Sequence, residues 1–114
     1  MHPSVTVMIR QNPQKSHRAA EALRIALGLA TGPNPLTVLL LDEAPLLLGE
    51  DIDDLISADI LEKHLPVLKE LEISFVVPES TRSRYRLDPG FRIREVPSAG
   101  IAALIVQSDR LLAF

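Results

Sequence analysis

Three short runs are apolar or β-branched at nearly every position: SVTVMIR at 4–10, LTVLLL at 36–41 and ISFVV at 73–77. A strand with one wet face alternates apolar and polar residues, and these runs do not. They fit strands covered on both sides, as in a parallel sheet, and that restricts the chain to alternating strands and helices. Between the first two runs the period changes. Ala19, Leu23, Ala26, Leu27 and Ala30 recur at helical spacing while Arg18, Glu21 and Arg24 fall opposite, which predicts an amphipathic helix. Ser16 is its expected N-cap. Gly32 stands where a helix end takes a residue with positive φ, and Pro33 and Pro35 forbid continuation.

The remainder is read the same way. Leu61, Leu65, Leu68 and Leu71 mark a second helix, but Pro66 lies among them, and a mid-helix proline costs ~3 kcal/mol. The expectation is therefore a short helix with Pro66 in its first turn, after a separate turn or helix at 58–63. Residues 44–57 read as a long loop with helical pieces, and 79–89 as a polar, basic loop. FRIREV at 91–96 alternates apolar and charged residues, the pattern of an edge strand. Ser98 is placed to cap a short helix through 106, and 110–114 to close the fold as a strand. With right-handed crossovers, this predicts one domain over 1–114: an α/β, three-layer α/β/α sandwich on a mostly parallel sheet of about five strands.

Composition narrows the chemistry. With 12 Lys+Arg against 15 Asp+Glu the net charge is −3, unlike the basic face of a nucleic-acid binder. Cysteine is absent, which removes disulfides, thiolate zinc sites, cysteine-ligated clusters and thiol nucleophiles. No apolar run approaches the ~20 residues that cross a bilayer, and no secretory-type pattern opens the sequence. A cytoplasmic protein without direct nucleic-acid or membrane contact is expected.

Sites in such folds form where loops leave the carboxyl ends of strands. The 11–16 loop offers Asn12, Lys15 and Ser16 at a helix start, where free N–H groups favour an anion, but without a phosphate-cradling glycine. Asp42 and Glu43 end the second strand. They lack the further acids and the later lysine of a phosphoacceptor site, and no metal site is expected. His2, His17 and His64 are scattered through different elements, and no zinc site is expected of them. His17 with Asp42 or Glu43 is a conceivable acid–base pair. Ser80, Arg82, Arg84 and Arg86, with Tyr85 between the arginines, could grip an anion or an acidic partner. The arginines would point one way only if the segment were extended. No cofactor is implied.

SHRAAEALRIALGLA at 16–30, LLLDEAPLLL at 39–48, ISFVV with its arginine-bearing loop, and SDRLLAF at 108–114 together resemble the DsrE/DsrF-like family. That family includes the TusB, TusC and TusD sulfur-relay subunits. The resemblance implies five parallel strands with the first near the middle. In catalytic members a cysteine near the end of the third strand carries persulfide sulfur, and an Arg-Gly pair ends the following loop. Laid on this sequence, the cysteine position falls at Val77, the arginine at Arg84 and the glycine at Tyr85. A valine has no lone pair to hold sulfur, so the resemblance implies a scaffold without the chemistry.

The family also implies a homo-oligomer (trimer or hexamer), or a hetero-oligomer with other DsrE-family subunits, and allows for a sulfurtransferase partner. Leu46, Leu47 and Leu48 are the expected interface patch, being apolar residues in what reads as a loop. The reading is a non-catalytic subunit supporting sulfur trafficking by cysteine-bearing partners. The alternative is a small-ligand or anion-binding module with its site at the carboxyl ends of the strands.

Overall fold

A computed structural model describes residues 2–114. Its strands are β1 (Val5–Ile9), β2 (Leu36–Leu40), β3 (Ser74–Pro78), β4 (Arg92–Val96) and β5 (Arg110–Ala113). They form one sheet in the order β4-β3-β2-β1-β5, and every neighbouring pair is parallel. β2 is central, β1 lies beside it, and FRIREV supplies an edge strand as its alternation requires. Helices α1 (Arg18–Ala30), α2 (Ala58–Glu70), α3 (Thr81–Arg84) and α4 (Ser98–Gln107) connect them, and Ala44–Leu48 forms a 3-10 helix after β2.

Strand alternation sorts the core into two layers. Val7, Ile9, Val38, Leu40, Phe75 and Val77 share one cluster with Ala19, Ala22, Leu23 and Ala26 of α1 and Leu61, Leu65 and Leu68 of α2. The intervening residues Thr6, Leu39 and Val76 are also buried, on the opposite face. There α4 crosses the sheet, returning the chain from edge β4 to edge β5. Leu104 of α4 meets Thr6 and Thr37 around one small cavity, and Thr6 Oγ1 is hydrogen-bonded to Ser108 Oγ.

Three local expectations are corrected. Pro66 does not divide the second helix, because α2 runs unbroken from Ala58 to Glu70. Pro66 and Glu62 are both exposed, so the carbonyl left without a donor faces water. Burial of Leu61, Leu65 and Leu68 outweighs the ~3 kcal/mol proline cost, at roughly 1.5–3 kcal/mol for each leucine. Gly32 does not take positive φ. Helix α1 instead ends with Thr31 Oγ1 donating to the Gly28 carbonyl at 2.8 Å and the Gly32 N–H to Leu29. Finally, His17 and Pro97 occupy the cap positions of α1 and α4, with no side-chain cap bond in either. Ser16 still acts one residue earlier, its Oγ accepting from the Arg18 N–H at 3.1 Å.

Candidate functional site

The carboxyl ends of β1, β2 and β3 bring together residues distant in sequence. Arg10 directly follows β1, and its Nε pairs with Asp42 Oδ2 at 3.2 Å. Asp42 sits in the left-handed region at φ 55, which turns the chain sharply off β2 and presents Glu43. From the loop after β3, Tyr85 donates its hydroxyl proton to Glu43 Oε2 at 2.6 Å, and Arg84 Nη2 stands 3.9 Å from Glu43 Oε1. Burial, and then the carboxylate acceptor, raise the Tyr85 pKa above that of an ordinary phenol. The phenol therefore stays protonated as a fixed donor.

The segment expected to be a loop contains a helical turn, α3. Ser80 enters it at φ 71, and Thr81 Oγ1 donates back to the Pro78 carbonyl at 2.6 Å. The turn splays the arginines. Arg82 binds Glu95 through both its backbone N–H and its guanidinium, and donates to the Ile93 carbonyl at 2.8 Å. The backbone N–H is the main reason that the Glu95 carboxyl titrates below the usual range. Arg84 turns to Glu43, and Arg86 lies 3.9 Å from Glu50. The expected basic cluster is thus three separate ion pairs, each with its own acid.

The remaining predicted residues divide between local and core roles. Asn12 Oδ1 accepts from the Gln14 N–H, and its carbonyl accepts from the N–H groups of Lys15 and Ser16, so that loop is closed on itself. An open cavity of about 450 Å³ beside the α3 loop is lined by Arg82, Tyr85, Arg86, Asp88 and Phe91; Asn12, Lys15 and Ser16 do not reach it. Lys69 Nζ binds Asp88 at 2.8 Å and lies 4.8 Å from the Phe91 ring centre, a pairing with no sequence signal. His17 is exposed at the start of α1, while Asp42 and Glu43 are taken by Arg10, Tyr85 and Arg84, so the acid–base pair is not assembled. Among the described residues no group of His, Asp and Glu converges to hold a metal.

Two further expectations change. Leu47 and Leu48 are fully buried and Leu46 is half-buried against the same core. The 3-10 helix folds this patch inward, so Leu47 and Leu48 are not a surface for a partner. Val77 lies near the carboxyl end of β3, as the resemblance places it, but its side chain is fully buried among the α1 and α2 contacts. At Tyr85, the position aligned with the family glycine, φ is −129, which any residue adopts. Nothing in the backbone there calls for glycine.

The five parallel strands, with α1 and α2 on one face and α4 on the other, make a three-layer α/β/α fold. The crystal structure of the YchN protein from E. coli superimposes on the whole chain with a TM-score of 0.77, at 17% sequence identity and with full coverage of both chains. No family model matches the sequence, and no curated protein matches it. Among the described residues no helix is long and apolar enough to cross a membrane.

Proposed function

We propose that this chain is a non-catalytic DsrE-like subunit, which oligomerises and supports or regulates sulfur trafficking by partners that carry the reactive cysteine. The observation that carries this reading is a DsrE-like fold built from a sequence without a single cysteine. Sulfane sulfur travels as a persulfide on a thiolate, so the chain can position or shield a sulfur carrier but cannot be one. The ion pairs at the strand ends agree with a structural role, since Glu43, Asp42 and Glu95 are each held by a neighbour. The test is to mix the purified chain with a persulfide donor and with cysteine-bearing DsrE-like proteins of the same cell. Association with one of them, with no sulfur bound to this chain, is the expected result. Covalent sulfur on this chain, or no association with any of them, overturns the reading.

The open cavity beside Arg82, Tyr85 and Arg86 favours a second reading, a site for a small anion carrying an apolar or aromatic part. Thermal-shift measurements with nucleotides, phosphate and sulfur oxyanions test it. A rise in melting temperature that Arg86→Ala abolishes supports it, and no shift across the panel removes it.

A further inference from the structure

We propose that the cavity beside the α3 loop takes a zwitterion, an α-amino acid with an apolar side chain, whose carboxylate meets Arg86 and whose ammonium meets Glu50. The site rests on the second reading above for its cavity and adds the identity of its ligand. Segments 48–50 and 86–88 are stitched into a short antiparallel ladder. The Glu50 N–H donates to the Arg86 carbonyl at 3.0 Å, the Asp88 N–H donates to that of Leu48 at 2.8 Å, and Gly49 pairs with Leu87 between them. The ladder holds the backbones of Glu50 and Arg86 side by side. Their side chains nevertheless stop at 3.9 Å, beyond hydrogen-bond length. The Arg86 side chain is 85% exposed, the most of the three loop arginines.

The other polar side chains around this cavity are already engaged. Arg82 is held by Glu95 and the Ile93 carbonyl, the Tyr85 proton by Glu43, and Asp88 by Lys69 and the Gly90 N–H. Arg86 and Glu50 therefore stand as one donor and one acceptor available together. A second cavity, of about 200 Å³, shares Asp88 and Phe91 with the first and is lined by Glu50 and Glu62. A simple anion drawn to Arg86 would sit beside carboxylates that its arrival leaves unmatched, and like charges side by side oppose binding. An α-amino acid carries both charges on one carbon. It replaces the long Arg86–Glu50 contact by two charge-assisted hydrogen bonds and leaves neither residue unpaired. Leu87, Pro89, Phe91 and Ile93 line the rest of the first cavity, and an apolar wall with a few polar groups at its rim is the usual form of a small-molecule site. The Phe91 ring is fixed edge-on to Phe75, with 5.6 Å between ring centres, which offers a rigid surface to an apolar side chain.

The experiment titrates the full-length chain with L-phenylalanine, L-leucine, phenylpropanoate and phenethylamine, following backbone amide shifts by NMR, for the wild type, Arg86→Ala and Glu50→Gln. Both positions are exposed, and circular dichroism shows that each variant is folded. An amino acid should shift the amides of the 86–91 loop. L-Phenylalanine should bind about tenfold or more tighter than phenylpropanoate or phenethylamine, each of which lacks one charge. Arg86→Ala should weaken L-phenylalanine and phenylpropanoate alike. Glu50→Gln should weaken L-phenylalanine and leave phenylpropanoate unchanged or tighter, a split that a merely structural role for Glu50 would not produce. No binding of either amino acid overturns the proposal and leaves the anion reading to its own panel. Phenylpropanoate binding as tightly as L-phenylalanine overturns the zwitterion and keeps the anion. Amino-acid binding that neither substitution alters overturns this site.

Discussion

The hydroxyl of Tyr85 donates to Glu43 Oε2 at 2.6 Å, fastening the loop after β3 to the end of β2 across 42 positions of sequence. The chain has one tyrosine, so tyrosinate absorbance reports the Tyr85 phenol alone. The native midpoint should lie above the ordinary value of about 10, chiefly from burial and then from Glu43. A raised folded value means that this stabilisation is present in full below about pH 10, and is lost as pH rises through the folded value. Glu43→Gln should lower the midpoint only in part. Tyr85→Phe should cost about 1 kcal/mol in denaturant unfolding at neutral pH, less than a fully buried bond to a charge. A midpoint at or below the ordinary value contradicts the bond.

Asp88 reports on the opposite side of the pH scale. Its carboxyl titrates below the usual range, first through the Lys69 hydrogen bond and then through the Gly90 N–H. A depressed folded value gives stability that is present above about pH 4 and lost as pH falls through the folded value. Asp88→Asn should lower stability at neutral pH by about 0.5–1 kcal/mol, the modest range of partly exposed pairs, and should flatten the loss below pH 4. An unchanged acid limb in urea titrations at stepped pH would show that the pair is idle.

Leu47 separates core from interface. Being fully buried, it should cost about 2–5 kcal/mol when replaced by alanine, without altering self-association of the folded fraction. Melting curves and light scattering on Leu47→Ala check both. Loss of association with unchanged stability would restore the 46–48 patch as a contact surface.

The burial of Val77 makes a prediction about thiols. Val77→Cys should react with a thiol reagent only as fast as the chain unfolds, whereas Ser80→Cys, at an exposed position past the end of β3, should react at once. Prompt labelling at 77 would contradict the packing of β3 against α1 and α2.

The sheet was readable because SVTVMIR, LTVLLL and ISFVV avoid alternation, and only a doubly covered strand rewards that pattern. The edge strand was readable for the converse reason, in Arg92, Arg94 and Glu95. Pro66 misled because local propensity says nothing of the three leucines that tertiary packing buries on the far side of α2. Leu46, Leu47 and Leu48 misled likewise: a loop and a 3-10 helix share one composition, and only the fold shows the second turned inward. At the site, Asp42, Glu43, Arg82 and Arg84 were legible as strand-end residues. Their partners Arg10, Tyr85 and Glu95 were not assigned to them, since side-chain contacts between 13 and 42 positions apart leave no local pattern.

The most direct test follows labelled sulfur from a persulfide donor to a cysteine-bearing DsrE-like protein of the same cell, with and without this chain, resolved by non-reducing electrophoresis. The label should pass between donor and cysteine-bearing subunit at a rate that this chain changes, and never appear on the chain itself. Label bound covalently to this chain, or a transfer rate indifferent to its presence, would contradict a sulfur-relay scaffold.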